Sequence, residues 1–458
     1  MPLPPEVETM TDPQPNIVLI HCHDLGRYLG CYDYDVDTPA IESLADSGAL
    51  FTEHYGTAPQ CSPSRGSLMT GRYPHVNGLV GLAHGAWELD DGERILPHYL
   101  QDAGYETHMF GLQHITQDTD RLRYDRIHSE GNLYPGVSPV VHESNRARTV
   151  ASVVSEWLES GAFDTPFFAS VGFFELHRSQ EADGRFGFDP DRYEKHDPDR
   201  IRPLPYLPDR RGIRTDLAEM HGMVTAIDDG VGEIVATLED TGLDEETLVV
   251  FTTEHGIAFP RAKGSCYDAG LEVALILRYP GLADGGETYD ELTSNVDVLP
   301  TLLELVGIDR PDAIDGRSFL SVLTDDEYTE REQVFAEMTW HDVYNPVRAI
   351  RTDQYKYIRS FWYLPKVYLT ADVFASEAGR EVREKYGAPG RPYEELYDLQ
   401  ETPQEDENVV HEPRYQDVRC DLSRRLKDWM VETNDPLLDG PVVPDDFDVI
   451  QRWPHEQE

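Results

Sequence analysis

Cys61-Ser62-Pro63-Ser64-Arg65-Gly66-Ser67-Leu68-Met69-Thr70-Gly71 is the stretch on which the reading of this chain turns. Pro63 suits the first turn of a helix running to Thr70, where a missing N–H costs nothing, and Gly71 suits its end. Cys61 then stands at the positive end of that helix, where unpaired backbone N–H groups favour anions. One cysteine before a helix is ordinarily a small buried apolar residue. The full spacing C-x-P-S-R-x-x-L-x-T-G makes this one a candidate site.

Outward from this stretch, short apolar runs alternate with amphipathic ones. Residues 16–21, 50–54, 106–110, 166–174 and 248–253 read as strands, and residues 38–48, 95–103, 150–159 and 216–240 as helices. The alternation predicts an α/β fold, a large mostly parallel sheet sandwiched by helices. Ligands of such sheets bind beyond the carboxyl ends of the strands. After about Gly316 the pattern changes. Residues 333–340, 347–351, 355–361 and 395–399 read as antiparallel strands, and 417–431 as a terminal helix. The expected division is a first domain over residues 15–330 and a smaller C-terminal α+β domain over residues 331–458.

Polar clusters follow the apolar strands. His23-Asp24 comes after the first, and Glu254-His255-Gly256 directly after residues 248–253. Carboxylates and imidazoles are hard or borderline ligands for a divalent cation, although a strand-end acid alone more often caps the next helix. His114 lies in Gly111-Leu112-Gln113-His114, His177 in Phe173-Phe174-Glu175-Leu176-His177-Arg178, and Lys263 in Phe259-Pro260-Arg261-Ala262-Lys263. Isolated histidines are commonly structural, and a lone lysine is usually solvated. This chain, however, has just six lysines, at 195, 263, 356, 366, 385 and 427. Nine basic residues fall between His177 and Thr215, in a segment rich in Pro, Gly and Asp, which reads as a long loop. Guanidinium groups suit sulfate or carboxylate, so this loop is expected to be a lid attracting an anionic sugar.

Together these motifs resemble the sulfatase family of the alkaline-phosphatase-like superfamily. Residues 172–178, 254–260, 395–399 and 429–436 are most similar to its sulfamidase (N-sulfoglucosamine sulfohydrolase) branch. The resemblance implies that Cys61 is oxidised to Cα-formylglycine by a formylglycine-generating or anaerobic sulfatase-maturating enzyme. It implies one divalent cation, with Ca²⁺ favoured over Mg²⁺ or Mn²⁺, held by Asp24, Glu254, His255 and residue 61, with His23 beside them. It gives Arg65 and Lys263 the sulfuryl oxygens, His177 the proton for the leaving amine or alcohol, and His114 the remaining hydroxyl proton. The implied substrate is a sulfated sugar or glycan, cleaved at a sulfate ester or N-sulfate. The chain departs from the family at three places: His23 and Glu254 replace aspartates, and Leu112 replaces a lysine. His23, or an arginine such as Arg178, is expected to fill the space the lysine leaves. Two rivals are a phosphonate monoester or phosphodiester hydrolase of the same superfamily, and a degenerate homologue that binds sulfated glycans without turnover.

Composition narrows the setting. The chain has 86 acidic and 39 basic residues among 458, a net charge of −47. With 39% hydrophobic residues it is a globular chain, and its acidity suits halophilic conditions, where the Debye length is about 3 Å in molar salt. The charge argues against nucleic-acid binding. No membrane span and no N-terminal signal are apparent, and the five cysteines form no disulfide framework, so a cytoplasmic enzyme is expected. The composition leaves room for a homodimer.

Overall fold

The structure is a computed structural model describing residues 14–444, apart from 86, 130–138, 162, 182–183, 283–284 and 325–326. The last stretch of the expected second domain, 445–458, lies outside the described residues. The strands of the main sheet are β1 (Asn16–Cys22), β2 (Ala49–Phe51), β3 (Glu106–Gly111), β4 (Arg126–Ile127), β5 (Phe167–Gly172), β6 (Thr247–Thr253), β7 (Leu275–Arg278) and β8 (Glu287–Tyr289). They lie in the order β8-β2-β7-β6-β1-β5-β3-β4. β7 runs against both neighbours, while the other pairings are parallel. β1, β5 and β6 are buried along their whole length, which is why they read as near-continuous apolar runs.

The residues of β1 alternate between two cores. Val18 and Ile20 pack on one face with Leu44, Val154 and Ile227; Ile17 and Leu19 pack on the other with Leu68, Met69 and Leu299. The first face is covered by α1 (Pro39–Asp46), α3 (Ala147–Glu159) and α4 (Arg211–Thr241), the second by α2 (Cys61–Thr70) and α5 (Asn295–Leu305). The sheet is thus sandwiched by helices, as expected. α4 starts five residues before the expected position, because its first turn carries charged residues that hide the apolar period.

The C-terminal region carries the expected antiparallel sheet, β9 (Val334–Trp340), β10 (Tyr344–Arg351), β11 (Tyr355–Ser360) and β12 (Glu394–Asp398), paired in that order. Between β11 and β12 the chain leaves this sheet, and α6 (Glu377–Tyr386) packs on α4. The terminal helix α7 (Gln416–Glu432) lays Leu422, Leu426 and Trp429 on Phe335, Ile350 and Tyr357, in a core that also takes Tyr73 and Val296 from the larger part. Among the described residues no helix is long and apolar enough to cross a membrane.

Candidate active site at the carboxyl ends of the strands

β1 and β6 lie side by side with Cys22 opposite Thr253, so His23-Asp24 and Glu254-His255 leave the sheet together. α2 begins at this edge and presents Cys61, which is 1% exposed. Its Sγ lies 3.4 Å from His255 Nε2 and 3.8 Å from Asp24 Oδ1. β5 and β3, the next strands across, deliver His177 and His114 to the same end. Asp24 and His114 hold left-handed backbones, with φ of 48° and 64°. Such conformations are uncommon for non-glycine residues and persist where the surroundings impose them. At His114 the Gln113 side chain does so, its Oε1 accepting from the N–H groups of Ile115 (2.6 Å) and Thr116 (3.2 Å).

Each central carboxylate is shared between two duties. Asp24 Oδ2 accepts from Lys263 Nζ at 2.8 Å, while Oδ1 lies 3.0 Å from His255 Nε2. Glu254 Oε2 takes the Arg65 Nε–H, while Oε1 lies 3.2 Å from His255 Nε2 and 2.7 Å from His23 Nδ1. Burial opposes charge on both carboxyls, but Lys263 and His255 at Asp24, and Arg65 at Glu254, hold them well below the usual range. His255 is also buried, yet Asp24 and Glu254 push it well above an ordinary imidazole. Its Nδ1 bonds the Gly256 carbonyl at 2.8 Å, which directs Nε2 into the cluster. Burial and the Arg65 charge bring His23 down to about 3, so it is neutral. Burial, then the Glu254 charge, push the Cys61 thiol up to about 12.

These donors fit a divalent cation. Ligand atoms of His23, Asp24, Cys61 and Glu254 lie within 4.8 Å of one another. Glu254 Oε1 and both nitrogens of His23 are buried and make no hydrogen bond among the described residues, although His23 Nδ1 is close to the carboxylate. Buried polar atoms left this way are costly unless a ligand satisfies them. Two carboxylate oxygens with imidazole nitrogen suit Ca²⁺, Mg²⁺ or Mn²⁺.

The remaining expected residues surround this cluster. Arg65 Nη1 is 2.6 Å from His21 Nδ1, and its Nη2 is buried without a hydrogen bond among the described residues. The His23 ring centroid is 5.6 Å from those of both His114 and His177. His177 Nδ1 bonds the Arg178 carbonyl at 2.8 Å, leaving Nε2 for other partners. Sequence reasoning missed Asp372, whose Oδ2 accepts from Lys263 Nζ at 2.9 Å, and His84, whose Nδ1 is 3.0 Å from His114 Nε2. Their only signal was residue type, since the contacts span 109 and 30 residues.

Arg178 is a correction. Its guanidinium is wholly buried, bonded to Asp216 (2.8 Å) and the carbonyls of Ala258 and Phe186, and stacked 4.1 Å over Phe188. It does not fill the space at Leu112, which is buried against Phe174 in an apolar pair. In the segment expected to be a lid, where acids roughly balance the nine basic residues, several arginines are already paired. Arg185, Arg192, Arg211 and Arg214 are paired with Glu219, Glu143, Asp199 and Asp209.

The comparisons with known proteins agree with this geometry. The family model "Sulfatase" matches residues 15–308, and "N-sulphoglucosamine sulphohydrolase, C-terminal" matches residues 254–391. The chain is 26% identical over 469 residues to human N-sulphoglucosamine sulphohydrolase, covering 93% of this chain and 92% of the other. It is 27% identical to an ulvan-active sulfatase of Formosa agariphila, over 94% of this chain and 82% of that one. Among solved structures it resembles a protein in complex with its substrate D-glucosamine-2-N,6-O-disulfate (TM-score 0.68, 18% identity, 92% and 98% covered). It resembles phosphonate monoester hydrolase of Agrobacterium radiobacter to the same degree (TM-score 0.69, 20% identity, 93% and 97% covered), so these two likenesses speak to fold alone. The family model spans well over half of the chain, and the chain belongs to the sulfatase family of sulfuric ester hydrolases.

Proposed function

We propose that this enzyme hydrolyses the sulfate ester or N-sulfate of a sulfated sugar, using formylglycine made from Cys61 and one divalent cation held by Asp24, Glu254, His255 and residue 61, with His23 at its side. The observation that carries this reading is that Asp24 Oδ1, Glu254 Oε1 and Cys61 Sγ, on the first residue of α2, all meet at His255 Nε2, at 3.0, 3.2 and 3.4 Å. Burial, then the Glu254 charge, push the thiol up to about 12, which disfavours a thiolate nucleophile and is in keeping with a converted residue 61. Hydrated formylglycine supplies two hydroxyls, one to attack sulfur and one to be deprotonated for sulfate release. The cation, when bound, draws charge from the sulfuryl oxygens and acidifies the residue-61 hydroxyl.

The chain's own groups do the rest. Arg65 Nη2 and the Lys263 ammonium are fixed by carboxylates and positioned to offset charge on the sulfuryl oxygens. His177, held through Nδ1, carries its second proton on Nε2 toward the leaving amine or alcohol. Burial and the Lys263 charge lower its pKa, and the acid form this role needs is favoured by the negative charge of the incoming sulfate. His114 engages His84 through Nε2, which leaves Nδ1, buried and without a hydrogen bond among the described residues, to take the hydroxyl proton.

Side-by-side assays of an aryl sulfate, an N-sulfated glucosamine and a phosphodiester test this. Turnover of a sulfate or sulfamate above that of the phosphodiester is expected. Faster phosphodiester turnover would support the phosphonate-hydrolase rival, and glycan binding without any turnover the degenerate homologue. Maturation of Cys61 and the glycan substrate are the partners this reading requires.

A further inference from the structure

The small sheet sends one turn toward the catalytic end of the large one. Between β9 and β10, Trp340 N–H donates to the Val80 carbonyl at 3.2 Å, and Asp342 Oδ2 accepts from Tyr368 Oη–H at 2.9 Å and Ala371 N–H at 2.6 Å. Ala371 directly precedes Asp372, the partner of Lys263. In this turn the His341 side chain is 6% exposed; its Nδ1 pairs with Asp342 Oδ1 at 3.1 Å, while its Nε2 makes no hydrogen bond among the described residues. An imidazole buried in this state is costly unless a ligand hydroxyl or amide completes it.

A line of rings runs outward past the same turn. Trp87 lies 6.1 Å from Trp340, Trp340 5.1 Å from Tyr344, and Tyr344 5.6 Å from Trp362, between centroids. The line starts three residues after His84, the partner of His114, and ends in solvent, with Trp362 50% and the adjoining Tyr363 62% exposed. Beside its outer end, Arg391 bonds the Asn345 amide oxygen, and neither Arg391 nor the exposed Lys366 has an ion pair among the described residues. In a chain of net charge −47, cations left for a ligand are informative.

We propose that the turn from Trp340 to Tyr344, continued by Trp362, is a glycan-binding strip that holds the sugars adjoining the one whose sulfate is cleaved. This rests on the sulfated-glycan reading above. The exposed rings of Trp362 and Tyr363 stack on the C–H faces of sugars. Trp340, buried with its indole N–H on the Val442 carbonyl at 2.7 Å, and Tyr344, whose Oη accepts from Val442 N–H, back them. His341 Nε2 completes its hydrogen bond with a sugar hydroxyl or amide, and Arg391 and Lys366 meet sulfates further along. A second copy of the chain is a poorer occupant, because it brings another −47 charge to the same surface.

Trp362→Ala tests this on the full-length enzyme. Its kcat/KM is measured on a small aryl sulfate and on heparin-derived and ulvan-derived hexasaccharides. Binding of the hexasaccharides to a Cys61→Ala background is measured by calorimetry. The expected result is that Trp362→Ala weakens binding of at least one hexasaccharide about tenfold, and lowers the ratio of hexasaccharide to aryl-sulfate kcat/KM similarly. His341→Ala should weaken the same binding and His341→Gln restore part of it. Equal hexasaccharide affinity with and without Trp362, no hexasaccharide binding at all, or an effect of Trp362→Ala on oligomeric state alone overturns the strip. Absence of turnover with retained Trp362-dependent binding instead overturns the hydrolase reading and leaves the strip standing.

Discussion

Lys263→Met removes the cation that neutralises the buried acids behind the candidate metal site. Lys263 Nζ is 2.8 Å from Asp24 Oδ2 and 2.9 Å from Asp372 Oδ2, and its side chain is 2% exposed. Methionine fills similar space but leaves two carboxylates facing an apolar tip. Deleting one partner of a buried pair costs about 3–5 kcal/mol. With an unfolding entropy of about 2.1 cal/mol/K per residue, 458 residues give roughly 1 kcal/mol/K, so Tm should fall by about 3–5 °C. The pH dependence fixes the cause. Burial favours the neutral form of Asp372, but Lys263, helped by His177 and the Thr370 hydroxyl, holds the carboxyl far below the usual range. Its contribution is therefore present above the unfolded pKa of about 4 and lost as pH falls through the lower folded value. In the variant burial acts without Lys263, the folded pKa lies above the unfolded one, and the cost at neutral pH is relieved on acidification. Calorimetry of both proteins from about pH 8 down to about pH 5 should show a Tm gap that is largest at neutral pH and narrows toward acid. Equal Tm values at neutral pH, or a gap that widens on acidification, would refute the reasoning.

The buried position of Arg178 predicts that Arg178→Met lowers stability by about 3–5 kcal/mol through the uncompensated Asp216, with KM for a sulfated substrate unaltered. A stable variant with a raised KM would return Arg178 to a lid. Leu112→Lys puts an ammonium against Phe174, and denaturant titration should show a loss of about 2–4 kcal/mol; a stable, faster enzyme would contradict this packing account. Chelator-treated enzyme should melt lower than enzyme with excess Ca²⁺, by an amount equivalent to about 2.7 kcal/mol when free Ca²⁺ is a hundredfold above its Kd. Replacing His255 by alanine should abolish that difference, and survival of the Ca²⁺ response in the variant would remove His255 from the cation's ligands.

Much of this architecture was legible because the central strands are buried on both faces and end in abrupt polar clusters. His23-Asp24 and Glu254-His255 follow the apolar runs of β1 and β6 directly, and the parallel register brings them together. Cys61 was placed by its motif and by the Gly71 end of its helix, where φ is 66°. Other elements left little trace. α5 carries Pro300 in its interior, which argues against a helix in sequence; the structure accommodates it with Gly316 so close that a Cβ there would fall 1.8 Å from the Val296 oxygen. β7 is four residues long and runs antiparallel, against the alternation that identified its neighbours. Charge counting could not pair the arginines after His177, because which acid each meets depends on helices and loops distant in sequence, such as Asp216 and Glu219 on α4. The same holds for Asp372, which enters the site from a segment after β11 that no local pattern ties to Lys263.

The central claim is that residue 61 acts as formylglycine, and the most direct measurement is mass spectrometry of the peptide containing Cys61, taken from purified enzyme that turns over a sulfate or sulfamate. The account predicts a peptide lighter than the cysteine form by the difference between a CH₂SH and a CHO group, in a fraction that tracks specific activity across preparations. A peptide carrying an intact thiol throughout, in enzyme that is fully active, would contradict it.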